Sequence, residues 1–307
     1  MTMSKYMPQT QNIFGQSMSK YNAMTSGMIQ IQMLNQDSYD KIAQKVFEEI
    51  RNMGRNDLCF CGSGKKYKNC CCDVNEDSLI ASLLYKYYWL DLKVSQMTKD
   101  QGIQLLCKKG CSFCCSDYFY ISMVEYFAIR RELIQNRLQN QIYTSAEKGY
   151  RELAQTAPAE VQKLESDKMD IKKIYDDNSP GIHLTCPLLN EKDGSCLVYR
   201  CRPFICRLYG VSYRYNMCER ILKKCRKRFG KKMLDSSKMM HHLLDIPYDD
   251  YFITDVDVAC FKKQSVLFRP YPIVYWLSHD AWYAKFYQQM LQMRKDNFLE
   301  FYIKSTK

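Results

Sequence analysis

The chain has 307 residues, 46% of them hydrophobic, with 45 Lys and Arg against 33 Asp and Glu and a formal net charge of +12. That length and apolar content suffice for one large or two modest domains with real cores, and they exclude a purely disordered chain. No stretch reaches about 18 uninterrupted apolar residues, because Lys86 and Asp91 break Leu79 to Leu92 and Arg269 breaks Val266 to Leu277, so no membrane span is expected.

Residues 1–36 are rich in Met, Gln, Ser, Asn and Thr with little patterned hydrophobicity, which reads as a flexible leader. The opening MTMSKYMPQTQNIF has no charged segment followed by an apolar run, so no secretory signal is recognised and a reducing, cytoplasmic compartment is expected. Thiols stay reduced there, and clustered cysteines more often bind metal than form disulfides. A helix is predicted over 37–53, with Tyr39, Ile42, Val46, Phe47 and Ile50 at helical spacing before Gly54 ends it.

The 16 cysteines are bunched: five lie between Cys59 and Cys72, four between Cys107 and Cys115, six between Cys186 and Cys225, and Cys260 alone stands apart. Scattered core cysteines would not distribute in this way. In the first bunch, Cys59 and Cys61 precede a Gly62-Ser63-Gly64 turn, and Cys70 and Cys71 end a Lys-rich stretch. Two close thiolates, a tight turn and two more thiolates provide four soft ligands that suit tetrahedral zinc. The run GRNDLCFCGSGKKYKNCCCD over 54–73 resembles the SEC-C motif, the small zinc module found at the C-terminus of SecA and in many other proteins. The resemblance implies a docking module closed by four protein ligands, with Cys71 as the last of them and Cys72 as an addition to the usual pattern. A segment this short buries little, so it should be locally unfolded without its metal.

A second helix is predicted from Asp77 to about Lys99, with Leu79, Leu83, Leu84, Tyr87 and Leu90 forming an apolar stripe. The second cysteine set then opens with Cys107-x3-Cys111-x2-Cys114-Cys115. A capping box, Ser122 with Glu125, starts a helix running to about Leu138, and Thr144 with Glu147 marks another start. A loop is expected at Asn178 to Gly181. Cysteines resume at Cys186 and Cys196 and in YRCRPFICRLY, which holds Cys206.

Both halves together resemble the CxxCxxCC family of zinc- or iron-chelating domains, also called YkgJ-type cysteine-cluster proteins. The matching residues are Cys107, Cys111, Cys114, Cys115, Cys186, Cys196 and Cys206, with Pro187, Tyr199, Arg202, Pro203 and Arg207, over roughly 100–225. Cys218 or Cys225 could add an eighth thiolate, and Cys218 is preferred because Cys225 falls on the apolar face of its helix. The roles of Cys201 and Cys260 stay open. Seven or eight thiolates with no interleaved His favour zinc or an iron–sulfur cluster over hard cations. Arg202 and Arg207 are expected beside the thiolates, offsetting their charge, holding an anion, or simply solvating the loop. His183, three residues before Cys186, reads as an ordinary hydrogen-bonding residue rather than a ligand.

Cys107, Cys111 and Cys114 also satisfy the radical SAM spacing, but the downstream chain lacks the alternating strands and helices of a barrel. Because the cysteine-cluster family includes flagellin lysine methylases, the resemblance leaves an iron–sulfur-dependent protein-modifying enzyme as an alternative. No acid/base or nucleophile constellation identifies a catalytic residue.

From Arg200 to Lys232 there are 12 Lys and Arg against Glu219 alone, an excess of 11 that nearly equals the charge of the whole chain. Lys223, Lys224, Arg226, Lys227 and Arg228 could contact nucleic acid, making an RNA- or ribosome-associated adaptor a further alternative, although a solvated helix face is the blander reading. A last helix is predicted from about Ser278, with Trp282, Phe286, Met290, Met293 and Phe301 inward; Trp276, Trp282 and Phe286 are read as core.

The expected fold is mainly α: a helical cysteine-cluster domain with metal-organised loops over 77–245, preceded by a zinc module of hairpin-plus-short-helix type and followed by a helical extension over 246–307. The expected partner is a protein bound through the zinc module.

Overall fold

A serine placed just before an apolar stripe starts the first long helix. Ser78 accepts a hydrogen bond from the Ala81 N–H at 3.1 Å, and helix α1 runs Leu79–Asp100. Ile80, Leu83, Leu84, Tyr87 and Leu90 recur on one face and are buried, each contributing roughly 1.5–3 kcal/mol by leaving water. The computed structural model describes residues 50–74, 76, 78–166, 181–212, 244 and 270–283, without the side chains of Leu79 and Ser82. Of the helix predicted over 37–53 only its end is described, where Ile50 is buried.

The capping box forms as the sequence predicts. Ser122 Oγ accepts from the Glu125 N–H at 3.3 Å, Glu125 Oε2 accepts from the Ser122 N–H at 3.0 Å, and α2 follows over Met123–Gln135. It stops earlier than predicted because Arg137 adopts φ 56° and closes a Schellman motif, with Leu138 N–H donating to Leu133 O and Arg137 N–H to Ile134 O. Leu138 therefore caps α3, Gln139–Thr156, directly. The start predicted at Thr144 is a correction: Thr144 lies inside α3 and its hydroxyl donates back to Asn140 O at 3.0 Å, as a threonine in mid-helix does. Helix α4, Pro158–Glu165, begins on a proline whose missing N–H costs nothing in the first turn.

The strands are short and serve as clasps. Strand β1, Tyr120–Ile121, pairs antiparallel with β4, Tyr271–Pro272; β2, Leu189–Asn190, pairs with β3, Ser195–Cys196. Helix α5 spans Phe204–Leu208 and α6 spans Ile273–Ser278. The architecture is mainly α, as expected, with these two small sheets among the described residues.

Residues 270–283 pack into the helical core and do not stand off from it. Trp276 is fully buried, stacks on Tyr126 at 4.8 Å between ring centroids, and donates its indole N–H to Ile121 O at 3.0 Å. Buried Asp280 accepts from the Tyr126 hydroxyl at 2.6 Å and from Arg130 Nε at 2.9 Å. The expectation that Trp282 belongs to the core is corrected: it is 54% exposed, because α6 ends at Ser278 and the following turn directs Tyr283, not Trp282, inward. Phe286, Met290, Met293 and Phe301 lie outside the described residues. Among the described residues no helix is long and apolar enough to cross a membrane.

Candidate metal centres

The first cysteine module is a hairpin closed by the Leu58–Lys66 bridge, followed by a 3-10 turn over Tyr67–Asn69. Cys59 N–H donates to Lys65 O at 2.9 Å and Gly62 N–H to Cys59 O at 3.0 Å, so Cys59 and Cys61 sit on a tight loop facing the turn that carries Cys70 and Cys71. Gly62, at φ 70°, is required twice over, since a Cβ there would also come within 2.0 Å of the Tyr88 ring on α1. The Sγ atoms of Cys59, Cys61, Cys70 and Cys71 all lie within 4.8 Å of one another, with Cys61 and Cys70 at 3.5 Å. Four thiolates bound tetrahedrally to zinc at about 2.3 Å stand roughly 3.8 Å apart, so the residues fit that ion.

Charge is unevenly shared among these thiols. Hydrogen bonding from Cys59 lowers Cys61 to about 6 and also lowers Cys70, while Cys59 itself is raised by its bonds to those two and Cys71 by hydrogen bonding to Cys59, Cys61 and Cys70. A divalent cation replaces such shared protons with one central charge. Ser63 Oγ lies 3.2 Å from Cys70 Sγ as an added hydrogen-bond partner. Cys72 stands outside the cluster, exposed, its thiol donating to Lys68 O at 3.0 Å.

The second set is assembled from segments distant in sequence. Cys186 N–H donates to Cys115 O at 2.7 Å and Leu184 N–H to Ser116 O at 3.1 Å, while Asp117 and His183 form an antiparallel bridge. This zipper lays Cys186 against Cys115. Cys196 is carried on β3 opposite Leu189, and Cys206 on α5. Gly110 (φ 87°) and Gly194 (φ 69°) let the two cysteine loops touch: a Cβ on Gly194 would lie 2.8 Å from Gly110 O. Gly194→Ala is therefore expected to splay the loops and deplete metal from this set while the first module keeps its own. Gly102→Ala, also at positive φ but with nothing within 4 Å, is the control for backbone strain alone, and elemental analysis of both reads the result.

Cys107, Cys111, Cys114 and Cys115 from the first loop and Cys186, Cys196 and Cys206 from the second line one cleft that opens to solvent. Its far wall is apolar and includes Phe119, Leu188, Ile273 and Val274. Burial pushes Cys186 up to about 12 and raises Cys196 and Cys206, and a hydrogen bond with Cys115, then burial, raises Cys114. A cation that binds these thiols must displace their protons. Seven sulfur donors line one cleft, a donor type suited to zinc or an iron–sulfur cluster, but among the described residues only the first module has its thiols drawn together to metal-ligating distance.

The two arginines divide their work. Arg202 lines the cleft, its guanidinium 3.9 Å over the Tyr199 ring, whereas Arg207 is buried with its donors spent on Asp91 (2.6 Å), Arg202 O (2.9 Å) and Arg200 O. Arg207 thus braces the turn that carries Cys206 and, unlike Arg202, does not line the cleft. Both cations oppose the burial that raises Cys196. His183 is exposed beside Asp117 at 4.0 Å, does not line the cleft, and is not placed as a ligand. Cys201 is buried with its thiol 3.9 Å from Glu132, away from both sets. Cys218, Cys225, Cys260 and the basic residues Lys223, Lys224, Arg226, Lys227 and Arg228 lie outside the described residues.

Sequence reasoning overlooked Asp73, Arg131, Glu132 and Arg200, which join the two sets. Their only signal was an Arg-Arg-Glu run at 130–132 inside an otherwise apolar helix face, where charges need partners.

Two sets of clustered thiols define a metal-binding chain, and comparison with known proteins agrees. The SEC-C motif matches residues 55–71, and the CxxCxxCC family, described as "Putative zinc- or iron-chelating domain", matches residues 106–226. The protein translocase subunit SecA of Clostridium kluyveri is 60% identical over 37 residues, 12% of this chain and 4% of that protein. SecA 1 of Clostridioides difficile is 67% identical over 27 residues, 9% of this chain and 3% of that protein. The chain thus spans only about 4% of the length of the first of these relatives. No solved structure matches.

Proposed function

We propose that the chain is a two-centre metalloprotein. Cys59, Cys61, Cys70 and Cys71 hold zinc as a closed module that docks a protein partner, and the Cys107–Cys206 set holds zinc or an iron–sulfur cluster, with Cys218 as a further candidate ligand. The observation that carries this reading is the convergence of seven cysteines from two distant segments on one cleft. Docking rather than catalysis at the first centre is supported by its fourfold closure and by the exposed rim of Leu58, Lys65, Lys66 and Lys68.

One feature favours an enzyme at the second centre. The cleft opens to solvent and adds apolar lining to its sulfur donors, a combination that a closed ion site does not need. An iron–sulfur-dependent modifying reaction would use that space.

Protein purified without oxygen provides the test: metal and acid-labile sulfide per chain, with a visible spectrum, for wild type, Cys59→Ala and Cys114→Ala. The expected pattern is zinc lost in Cys59→Ala and a separate metal lost in Cys114→Ala. A visible band and sulfide lost with Cys114→Ala select the iron–sulfur form; zinc alone selects the structural form. Absence of metal from the second set in wild type overturns the proposal.

A further inference from the structure

Two adjacent residues of α2 reach in different directions. Arg131, only 6% exposed at its side chain, donates Nε to Asp73 Oδ2 at 2.9 Å, one Nη to Asp73 Oδ1 at 2.5 Å, and the same nitrogen to Cys70 O at 2.9 Å. It therefore grips the first module at the carbonyl of one of its ligands and at the residue following its last cysteine. Glu132, 12% exposed, forms an ion pair with Arg200 at 3.5 Å and accepts from the Cys201 thiol at 3.9 Å. Arg200 and Cys201 belong to the turn between Cys196 and Cys206 of the second set. About two turns earlier, Glu125 Oε1 accepts from Phe204 N–H at 2.9 Å, so α2 holds this turn at two points.

Arg200 also lies within electrostatic reach of the first set. Burial opposes its charge, but Glu132, and after it the Cys61 and Cys70 thiols of the first module, raise its pKa. A chain of contacts thus runs from Cys70 through Arg131 and Glu132 to Arg200 and on to the loop bearing Cys206.

We propose that Arg131 and Glu132 couple the two centres, so that zinc in the first module strengthens metal retention in the second. Loss of the first zinc frees the knuckle, strands the buried Arg131 guanidinium without Asp73 and the Cys70 carbonyl, and relaxes the end of α2 against which the Arg200 turn is seated. The coupling is reciprocal in affinity: filling the second centre tightens the first by the same factor. It rests on the two-centre reading and adds a regulatory link, making the docking module a monitor of the second site.

The test follows metal release from full-length protein into a chromophoric chelator, reading the kinetic phase that Cys114→Ala lacks. Cys61→Ala should speed that phase several-fold. Arg131→Gln and Glu132→Gln, which leave all eleven proposed described ligands in place, should each speed it several-fold while retaining the first zinc. In the Glu132→Gln background, adding Cys61→Ala should then change the rate less than twofold, the non-additivity expected of one pathway. A Cys61→Ala rate within twofold of wild type, or effects that simply multiply, overturns the coupling while the two-centre reading stands. If wild type holds no metal in the second set, both fall.

Discussion

Cys59→Ala is expected to remove one zinc per chain and unfold residues 55–72 while the helices beyond Ser78 persist. The segment buries little apolar surface of its own, chiefly Phe60 and Tyr67. At roughly 1.5–3 kcal/mol for each fully buried side chain, these cannot offset the ordering of some eighteen residues at about 1–2 kcal/mol each. Structural zinc supplies about 10–16 kcal/mol in comparable modules, a term large enough to decide whether so small a segment folds. Limited trypsin digestion reads the outcome, because Lys65, Lys66 and Lys68 are exposed and only the fold of the knuckle keeps their peptide bonds from a protease. Rapid cleavage there in Cys59→Ala, and in wild type treated with a strong chelator, is the expected result. A knuckle equally resistant with and without zinc would show that the fold does not depend on the metal.

Arg207→Met should lower stability by about 3–5 kcal/mol, the range for breaking a buried charge network. Its guanidinium stacks 4.2 Å over Tyr87 and is 2% exposed at the side chain. The ion pair to Asp91 is the smaller part of the effect, because Asp91 is 51% exposed and screened. The larger part comes from the carbonyls of Arg200 and Arg202, which lose a planar donor that no other described group replaces. Methionine preserves the stacking volume, so the measurement isolates the hydrogen bonds. Thermal unfolding should shift down by about 10 °C at a few degrees per kcal/mol, and metal in the second set should fall with it. Arg207→Lys should rescue little, since an ammonium cannot reach three acceptors in a fork. A shift below 3 °C would mean that the Cys206 turn is held by α2 alone.

What was legible in the sequence was local. Ser78 and the Ser122–Glu125 box announce helix starts because a cap is decided within four residues, and the Cys59–Cys71 knuckle closes within thirteen. Thr144 misled because a threonine three residues before a glutamate looks like a cap wherever it stands, and only the Schellman turn at Arg137 shows that α3 had already begun. The seven cysteines of the second set were visible as residues, but their shared cleft depends on the Cys115–Cys186 zipper, which no local pattern encodes. Arg207 illustrates the same limit: an arginine beside cysteines invites an anion in sequence, and two carbonyls of its own turn with the distant Asp91 decide otherwise.

The clasp between β1 and β4 has a temporal side. Trp276 meets the Ile121 carbonyl across 155 positions, and Ile273 and Val274 complete the wall facing the thiols. During synthesis both cysteine loops are present by residue 206, whereas that wall cannot form until the ribosome has added the segment reaching Val274. In the interval the thiols face an open trough that an ion or a preassembled cluster can enter from the side. Pairing of β4 with β1 then adds the last wall and narrows the entrance, so loading meets less hindrance before the clasp forms than after it.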